Sequence, residues 1–323
     1  MMKEALCCGC NGLFLFRLFL QPPIELKMWQ RLHSDLVNGD TKALARSISL
    51  VESEAEGFED FLASLPSFET KLIGVTGPPG AGKSTLVDAL IGEAIKENKK
   101  AAVLCVDPSS PFHLGALLGD RIRMSQWYTH PDVYIRSLAS KGSMGGLHPR
   151  IIEITSVVAA SNFDYIFIET VGVGQSEVEI AGLADVTVVV LVPEAGDDIQ
   201  SMKAGLMEIA DIFVVNKSDR PGADTLVKNL QQLLAYDQHI PVIKTIASQS
   251  VGVDQLFRQI NQHKKLHTKR NWLLARRAFH LIQQKRMLNV TVEKLEGMIE
   301  QESKNHLFNL YSFIQNFDAK PGA

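Results

Sequence analysis

Residues 71–91 read Lys-Leu-Ile-Gly-Val-Thr-Gly-Pro-Pro-Gly-Ala-Gly-Lys-Ser-Thr-Leu-Val-Asp-Ala-Leu-Ile. The apolar run Leu72–Thr76 predicts a strand, and Leu86–Ile91 has the pattern of a helix. A strand, a glycine-rich loop and a helix in this order match the phosphate-loop pattern G-x-x-x-x-G-K-[ST]. In such a loop, backbone N–H groups surround a polyphosphate at the positive end of the helix. The stretch therefore predicts binding of a nucleoside triphosphate.

The predicted phosphate loop supplies a run of consecutive contact residues. They are Gly77, Pro78, Pro79, Gly80, Ala81, Gly82, Lys83, Ser84 and Thr85. Lys83 would place its charge against the outer phosphates, and the Ser84 hydroxyl would bind the Mg²⁺ that bridges them. We therefore expect Mg²⁺ as the cofactor.

A second motif, Asn216-Lys217-Ser218-Asp219, indicates which base is bound. It follows the apolar run of residues 211–215, which predicts a buried strand, and it matches the pattern N-K-x-D. The Asp219 carboxylate can accept hydrogen bonds from N1–H and the exocyclic amine of guanine, whereas adenine would leave that charge unpaired. Asn216 would contact the other edge of the base, and the Lys217 stem would cover its face. The motif predicts selectivity for guanine.

Composition limits the class of protein. The chain has 323 residues and a formal net charge of −3, so no overall field draws it to nucleic acid or to an anionic membrane. Its four cysteines are too few for a disulfide framework, and Cys105 lies in an apolar run typical of a core strand. The apolar run 13–20 is too short to span a bilayer. We expect a cytoplasmic protein without nucleic-acid or membrane partners.

Alternating apolar strands and helical segments predict an α/β fold with a mostly parallel, doubly wound sheet. The candidate strands are Leu72–Thr76, Ala101–Val106, Val133–Arg136, Tyr165–Glu169, Val186–Val192, Ile212–Val215 and Val242–Ile246. We divide the chain into an atypical extension (1–27), an N-terminal helical segment (28–66), a nucleotide-binding domain (67–262) and a C-terminal helical arm (263–323). Cys7, Cys8 and Cys10 in the extension could bind a metal, although an upstream extension without function is the simpler interpretation.

The arm leaves two questions open. Its basic stretch 264–286 could bind nucleic acid, but its charges are more simply the solvated side of an amphipathic helix. Its apolar stripes could form a dimer contact, or they could pack back on the nucleotide-binding domain.

Three carboxylates between the two nucleotide motifs are candidates to hold Mg²⁺ directly or through water, namely Asp107, Asp120 and Glu169. Carboxylates this close to a triphosphate would repel it unless a cation lies between them. The backbone N–H of Gly172 could contact the γ-phosphate, so that loss of that phosphate releases its loop.

The sequence resembles the MeaB/ArgK/MMAA family of phosphate-loop GTPases, which are relatives of the metallochaperone GTPases and have a SIMIBI-type G domain. The resemblance covers residues 28–320. The matching stretches are GPPGAGKST at 77–85, DPSSP at 107–111, LLGDRIRM at 117–124, ETVGVGQSE at 169–177 and EIADIFVVNKSDRPGAD at 208–224. The resemblance implies Mg²⁺-dependent GTP hydrolysis, a homodimer through the C-terminal helices and an adenosylcobalamin-dependent methylmalonyl-CoA mutase as client. It also implies that hydrolysis gates cofactor loading and protects the mutase.

The resemblance also assigns a third switch, which reports the nucleotide state to the client, to Asp197, Gln200 and Lys203. It also implies that the backbone N–H of Ala247 donates a hydrogen bond to the guanine carbonyl oxygen. The chain departs from the family pattern at four positions, which are Leu114 and Glu194 in place of glycines, Lys141 in place of an arginine and Ile246 in place of a serine. The first two remove backbone freedom from the switch segments.

For catalysis, the sequence offers Lys83 for charge stabilisation and Gln175 either to orient the attacking water or as a surface residue. Arg121 and Arg123 are internal arginine fingers or ordinary surface charges. We expect hydrolysis to be slow without a partner. Three other functions remain open, namely a transport-system kinase or ATPase of the ArgK type, a nickel-insertion GTPase and a scaffold without activity.

Overall fold

The computed structural model describes residues 24–66, 69–107, 121–140, 147–170, 176–195, 206–234, 240–263, 267–287, 290–305 and 313–314. Within these ranges the strands lie in the middle of the chain with helices between most of them, and further helices precede and follow this region. The strands are β1 Lys71–Thr76, β2 Ala101–Asp107, β3 Val133–Ala139, β4 Tyr165–Thr170, β5 Val186–Leu191, β6 Ile212–Val215 and β7 Val242–Lys244. The helices are α1 Ile24–Val37, α2 Thr41–Glu52, α3 Phe58–Ser64, α4 Lys83–Lys96, α5 Ile151–Ala159, α6 Ser176–Leu183, α7 Leu206–Ile209, α8 Ala223–Leu234, α9 Val253–Gln262, α10 His267–Arg286 and α11 Val292–Asn305.

The strands form one sheet in the order β3-β2-β4-β1-β5-β6-β7, and every pair is parallel. The predicted fold class is therefore confirmed. Strand β1 lies between β4 and β5. The strands β2, β3 and β4 lie on one side of it and β5, β6 and β7 on the other, so the strand order changes direction at β1. In open α/β sheets, ligands bind at the carboxyl ends of the strands near such a point.

Each face of the sheet is covered by helices. Helices α4 and α9 pack on one face, with Leu90 and Phe257 fully buried there. Helices α1, α2, α3, α5 and α6 cover the other face. Leu36 and Ile48 of the N-terminal helices are fully buried in this second core, so these helices are part of the folded core.

Helix α10 has an inner side that packs on the rest of the chain. Three of its cations pair with carboxylates from different elements, in the pairs Arg270–Asp185, Arg277–Glu153 and Lys285–Glu59. Between the first two pairs, Leu273 lies against Gly182 of α6. This side of α10 thus packs back on the rest of the chain. Three of the basic residues of the arm form ion pairs there.

The outer side of α10 carries large apolar side chains that are exposed, and the Arg276 guanidinium lies over one of them, 5.4 Å from the Trp272 ring centroid. Trp272, Phe279 and Ile282 are 59%, 69% and 51% exposed. In the part of the chain that the structure describes, we find no helix with the length and apolar character that crossing a membrane needs.

Helix α6 lies between β1 and α10. A Cβ atom at Gly74 of β1 would come within 2.7 Å of Ile180 in α6, and a Cβ at Gly182 would lie 3.1 Å from the Leu273 Cβ of α10. Just after the helix, the Asp185 carboxylate accepts hydrogen bonds from the Leu72 backbone N–H at 3.0 Å and from Arg270 at 3.1 Å. The helix therefore touches the strand before the phosphate loop on one flank and the C-terminal arm on the other.

Candidate nucleotide site

The phosphate loop follows β1, and its backbone requires glycine at particular points. Gly77 has φ +140°, and a Cβ there would lie 2.1 Å from the Val190 carbonyl oxygen of β5. Gly82 has φ +87° directly before α4, and a Cβ there would lie 2.4 Å from Asn216 Nδ2. Gly80 also has a positive φ, but the space around it is open. Two glycines are thus needed both for conformation and for close approach of a neighbouring strand or loop.

Lys83 begins α4, and its side chain turns back over the loop. Its ammonium donates hydrogen bonds to the carbonyl oxygens of Gly77 at 2.9 Å and Pro78 at 3.1 Å. The side chain is buried. The loop is therefore wrapped around a buried cation, which is the group that a bound polyphosphate would meet.

Ser84, the next residue, reaches the neighbouring strand. Its hydroxyl donates a hydrogen bond to Glu169 Oε1 at 2.6 Å, and both side chains are buried. Glu169 lies near the carboxyl end of β4, one residue before Thr170, whose hydroxyl donates to the Thr76 hydroxyl at 3.0 Å. Asp107 is the last residue of β2, the strand next to β4. These residues share the carboxyl edge of the sheet with the phosphate loop.

Asn216 connects three segments of the chain. Its Nδ2 donates a hydrogen bond to the Ala81 carbonyl oxygen at 2.9 Å. Its Oδ1 accepts from the Thr245 hydroxyl and from the Ala247 backbone N–H, each at 3.1 Å. The side chain is 2% exposed. The Ala247 N–H that the family resemblance assigns to the guanine carbonyl thus donates to Asn216 in this structure.

Lys217 makes a second connection to the phosphate loop. Its ammonium donates to the Gly80 carbonyl oxygen at 2.7 Å, and its backbone has φ +54°. Asp219, two residues later, lies exposed on the turn that follows β6. Ile246, where the family pattern has serine, pairs its backbone with Val251, and each N–H donates to the other's carbonyl oxygen.

Several predicted site residues lie outside the described residues, namely Asp120, Gly172, Gln175, Asp197, Gln200 and Lys203. The same holds for Leu114, Lys141 and the cysteines of the N-terminal extension. For Asp107, Arg121 and Arg123, the structure describes the backbone alone.

Two contributions to the site were not predicted. Thr245 is fully buried and positions the Asn216 carboxamide, and the Thr76–Thr170 pair joins β1 to β4 beside the phosphate loop. The available signal was a small hydroxyl residue at the end of an apolar strand, which in this fold is the edge that carries the ligand.

A seven-stranded parallel sheet with a phosphate loop held against an N-K-x-D loop defines a GTPase of the phosphate-loop class. A family model described as methylmalonyl-CoA mutase-associated GTPase MeaB matches residues 44–303. The chain therefore belongs to the MeaB family, as its sequence motifs predict, and it is a GTPase.

Relatives support this membership. A protein of Pyrococcus horikoshii named as a GTPase is 40% identical over 298 residues, which are 88% of this chain and 92% of that protein. A fused isobutyryl-CoA mutase of Geobacillus kaustophilus is 38% identical over 244 residues, which are 69% of this chain and 22% of that protein. The crystal structure titled LAO/AO transport system kinase has a TM-score of 0.64 at 24% identity, covers 91% of this chain and 97% of that one, and bears on the fold alone.

Proposed function

We propose that this chain is a Mg²⁺-dependent GTPase that gates adenosylcobalamin loading of methylmalonyl-CoA mutase or a related mutase, and protects that enzyme. The observation that carries the GTP part is the joining of the two nucleotide loops, since Asn216 and Lys217 bond directly to the phosphate loop. A triphosphate in one loop then has its base beside the other. The match to the mutase-associated family and the relative fused to a mutase support the choice of client.

This geometry supports the following roles in GTP binding. The backbone from Gly77 to Thr85 surrounds the phosphates at the N-terminus of α4. Lys83 exchanges its contacts with loop carbonyls for contacts with the outer phosphate oxygens, which are better partners for an ammonium. Asn216 keeps a second amide N–H beyond the one given to Ala81, and this group would face the base. Lys217 covers the base, and Asp219 selects guanine.

The donor set at the sheet edge fits Mg²⁺, which prefers oxygen ligands. A buried hydroxyl and a buried carboxylate already meet there, in the 2.6 Å contact between Ser84 and Glu169. Asp107 ends the neighbouring strand, and Asp120 is assigned to the same group by resemblance. When bound, the metal neutralises charge on the phosphate oxygens.

Hydrolysis in this proposal is an in-line attack of water on the γ-phosphate. Lys83 stabilises the charge that spreads over the phosphoryl oxygens, Gly172 senses the γ-phosphate through its N–H, and Gln175 orients the water. Glu169 holds the Ser84 hydroxyl in position through their hydrogen bond. Arg121 or Arg123 would act as an internal finger only after the switches are organised by a partner, so hydrolysis by the protein alone is slow.

The remaining proposals concern partners. The third switch, with Asp197, Gln200 and Lys203, reports the nucleotide state to the mutase. A homodimer forms through the C-terminal arm, and the exposed outer side of α10 supports this because its large apolar side chains lie open in one copy.

Calorimetry with Mg²⁺ tests the first part, using GTP, GDP and ATP on the wild-type chain and on Lys83→Ala. We expect wild type to bind guanine nucleotides at least about 100-fold more tightly than ATP, because adenine would cover the Asp219 carboxylate without donating a hydrogen bond to it. Lys83→Ala should lose tight GTP binding. Equal binding of ATP and GTP would instead favour a kinase or ATPase of the transport-system type.

Retention of a client tests the second part. The purified chain, loaded with GTP, GDP or a non-hydrolysable GTP analogue, is immobilised and offered an adenosylcobalamin-dependent acyl-CoA mutase from the same source. We expect nucleotide-dependent retention, and cofactor transfer to the mutase that requires hydrolysis. Stoichiometric Ni²⁺ binding by the chain, without retention of a mutase, would favour the metal-insertion alternative.

A further inference from the structure

An ion pair joins two loops next to the candidate guanine site. Arg220 directly follows Asp219, and its guanidinium donates a hydrogen bond to the Glu194 carboxylate. Glu194 lies in the 3-10 turn Pro193–Ala195, which comes two residues after β5 and directly precedes the segment of the predicted third switch. The pair therefore connects the loop after β5 to the loop that carries the guanine-selecting carboxylate.

Both partners of this pair are charged at neutral pH. The hydrogen bond from Arg220 lowers the pKa of Glu194 below its ordinary value, and the bond to Glu194 raises the pKa of Arg220. The Asp219 carboxylate also acts on Arg220, but less strongly than Glu194 does. Arg220 is thus within electrostatic reach of Asp219 while its hydrogen bond goes to Glu194.

Arg220 and guanine present the same kind of donor to a carboxylate. Guanine offers N1–H and an exocyclic amine side by side, and a guanidinium offers a parallel pair of N–H groups. If Arg220 turned onto Asp219, it would occupy the acceptors that the base needs. The side chains of Arg220 and Asp219 are both exposed, so packing does not hold these two side chains apart.

Backbone contacts place Glu194 where it can hold the guanidinium. The Arg220 N–H donates to the Lys217 carbonyl oxygen at 3.0 Å, which closes the turn of the base loop. Next to it, a Cβ at Gly222 would lie 3.8 Å from the Pro193 Cβ, so the two loops are in contact.

We propose that Glu194 is a positioning residue for guanine recognition, which holds Arg220 away from Asp219 and leaves that carboxylate available to the base. This inference rests on the proposed role of Asp219 and adds a specificity determinant to it. Because exposed ion pairs contribute little to folding, the expected effect is on nucleotide selectivity and not on stability.

The test compares GDP with IDP, which lacks the exocyclic amine, by calorimetry with Mg²⁺. Glu194→Gln keeps the size of the side chain and removes its charge. We expect GDP affinity to fall about 3-fold, the range of an exposed charge pair. IDP affinity should fall less, because IDP gains less from Asp219. In the double variant with Arg220→Gln, GDP affinity should return to the wild-type value.

Asp254→Asn is the matched control, since it breaks an exposed ion pair with Arg258 on α9, a helix that carries none of the proposed site residues. It should change neither affinity. GDP binding by Glu194→Gln at the wild-type level would overturn the inference, and so would a double variant as weak as the single one. An equal loss for GDP and IDP would indicate a merely structural role and would also overturn it. A wild-type chain without guanine preference would refute the proposed function itself.

Discussion

The nucleotide site and the inner side of α10 are both built from contacts between distant segments, but they use different atoms. At the site, backbone carbonyls and N–H groups meet buried polar side chains, as in the bonds of Lys83 and Asn216. Along α10, the apolar side chain of Leu273 and ion pairs with partly exposed cations hold a helix to a surface. The site therefore depends on backbone positions fixed to fractions of an ångström, whereas the α10 contact depends on side-chain area, and substitutions should separate the two.

The largest effect is expected from Gly77→Ala. Its Cβ would lie 2.1 Å from the Val190 carbonyl oxygen, so the loop or β5 must move. We expect GTP affinity to fall by more than about 100-fold, from a distortion on the order of 3 kcal/mol. Calorimetry checks this against Gly80→Ala, which has a positive φ but open space. Similar affinities in the two variants would contradict a site limited by backbone approach.

Asn216→Ala should have the next largest effect. It leaves the Ala81 carbonyl, the Thr245 hydroxyl and the Ala247 N–H without their partner. We expect the free energy of unfolding to fall by about 3 kcal/mol, measured in urea without nucleotide. Thr245→Val removes one of these bonds and should cost about 1 kcal/mol. If Asn216→Ala cost no more than Thr245→Val, the loops would not depend on the shared carboxamide.

Leu273→Ala and Trp272→Ser test the two sides of α10. Leu273 packs on Gly182, so its truncation should lower the free energy of unfolding by about 2 kcal/mol. Trp272 is 59% exposed, and its replacement should change stability by less than about 0.5 kcal/mol. If the outer side forms the proposed dimer, Trp272→Ser should also weaken self-association in sedimentation experiments. If Trp272→Ser lowered the free energy of unfolding more than Leu273→Ala does, the assignment of the inner and outer sides of α10 would be wrong.

The smallest effects are expected from the ion pairs on the inner side. Lys285 and Glu59 are 62% and 50% exposed, so Lys285→Gln should change the unfolding free energy by less than about 0.5 kcal/mol. Arg277 pairs with Glu153, whose side chain is 11% exposed, and Arg277→Gln should cost about 1 kcal/mol. Urea unfolding measures both. Equal losses would show that burial does not control these pairs.

Local sequence pattern was enough to predict the sheet and the phosphate loop. Apolar runs predict the strands because a parallel sheet is buried on both faces, and the glycines predict the loop because only they fit its backbone. Cys105 is buried in β2 with its apolar neighbours, as its run predicts. Each of these predictions depends on residues close together in the chain.

Contacts between distant segments could not be predicted in this way. Thr245 becomes part of the site because β7 ends beside Asn216, and the docking of α10 depends on Asp185, Glu153 and Glu59 from three other segments. The sequence showed an amphipathic helix, but it did not show which surface would receive it. The ion pair of Glu194 with Arg220 is hidden for the same reason, because 26 positions separate the two residues.

Helix α6 makes one close contact on each flank, with Gly74 of β1 and with Leu273 of α10. Ile180 fills the place of a missing side chain on β1, and Gly182 leaves room for Leu273 on the arm. The helix thus acts as a spacer of fixed thickness between the strand that enters the phosphate loop and the C-terminal helix. A displacement of α6 toward β1 would tighten the contact of Ile180 with Gly74 and loosen the contact of Gly182 with Leu273. The packing at these two contacts therefore cannot change independently.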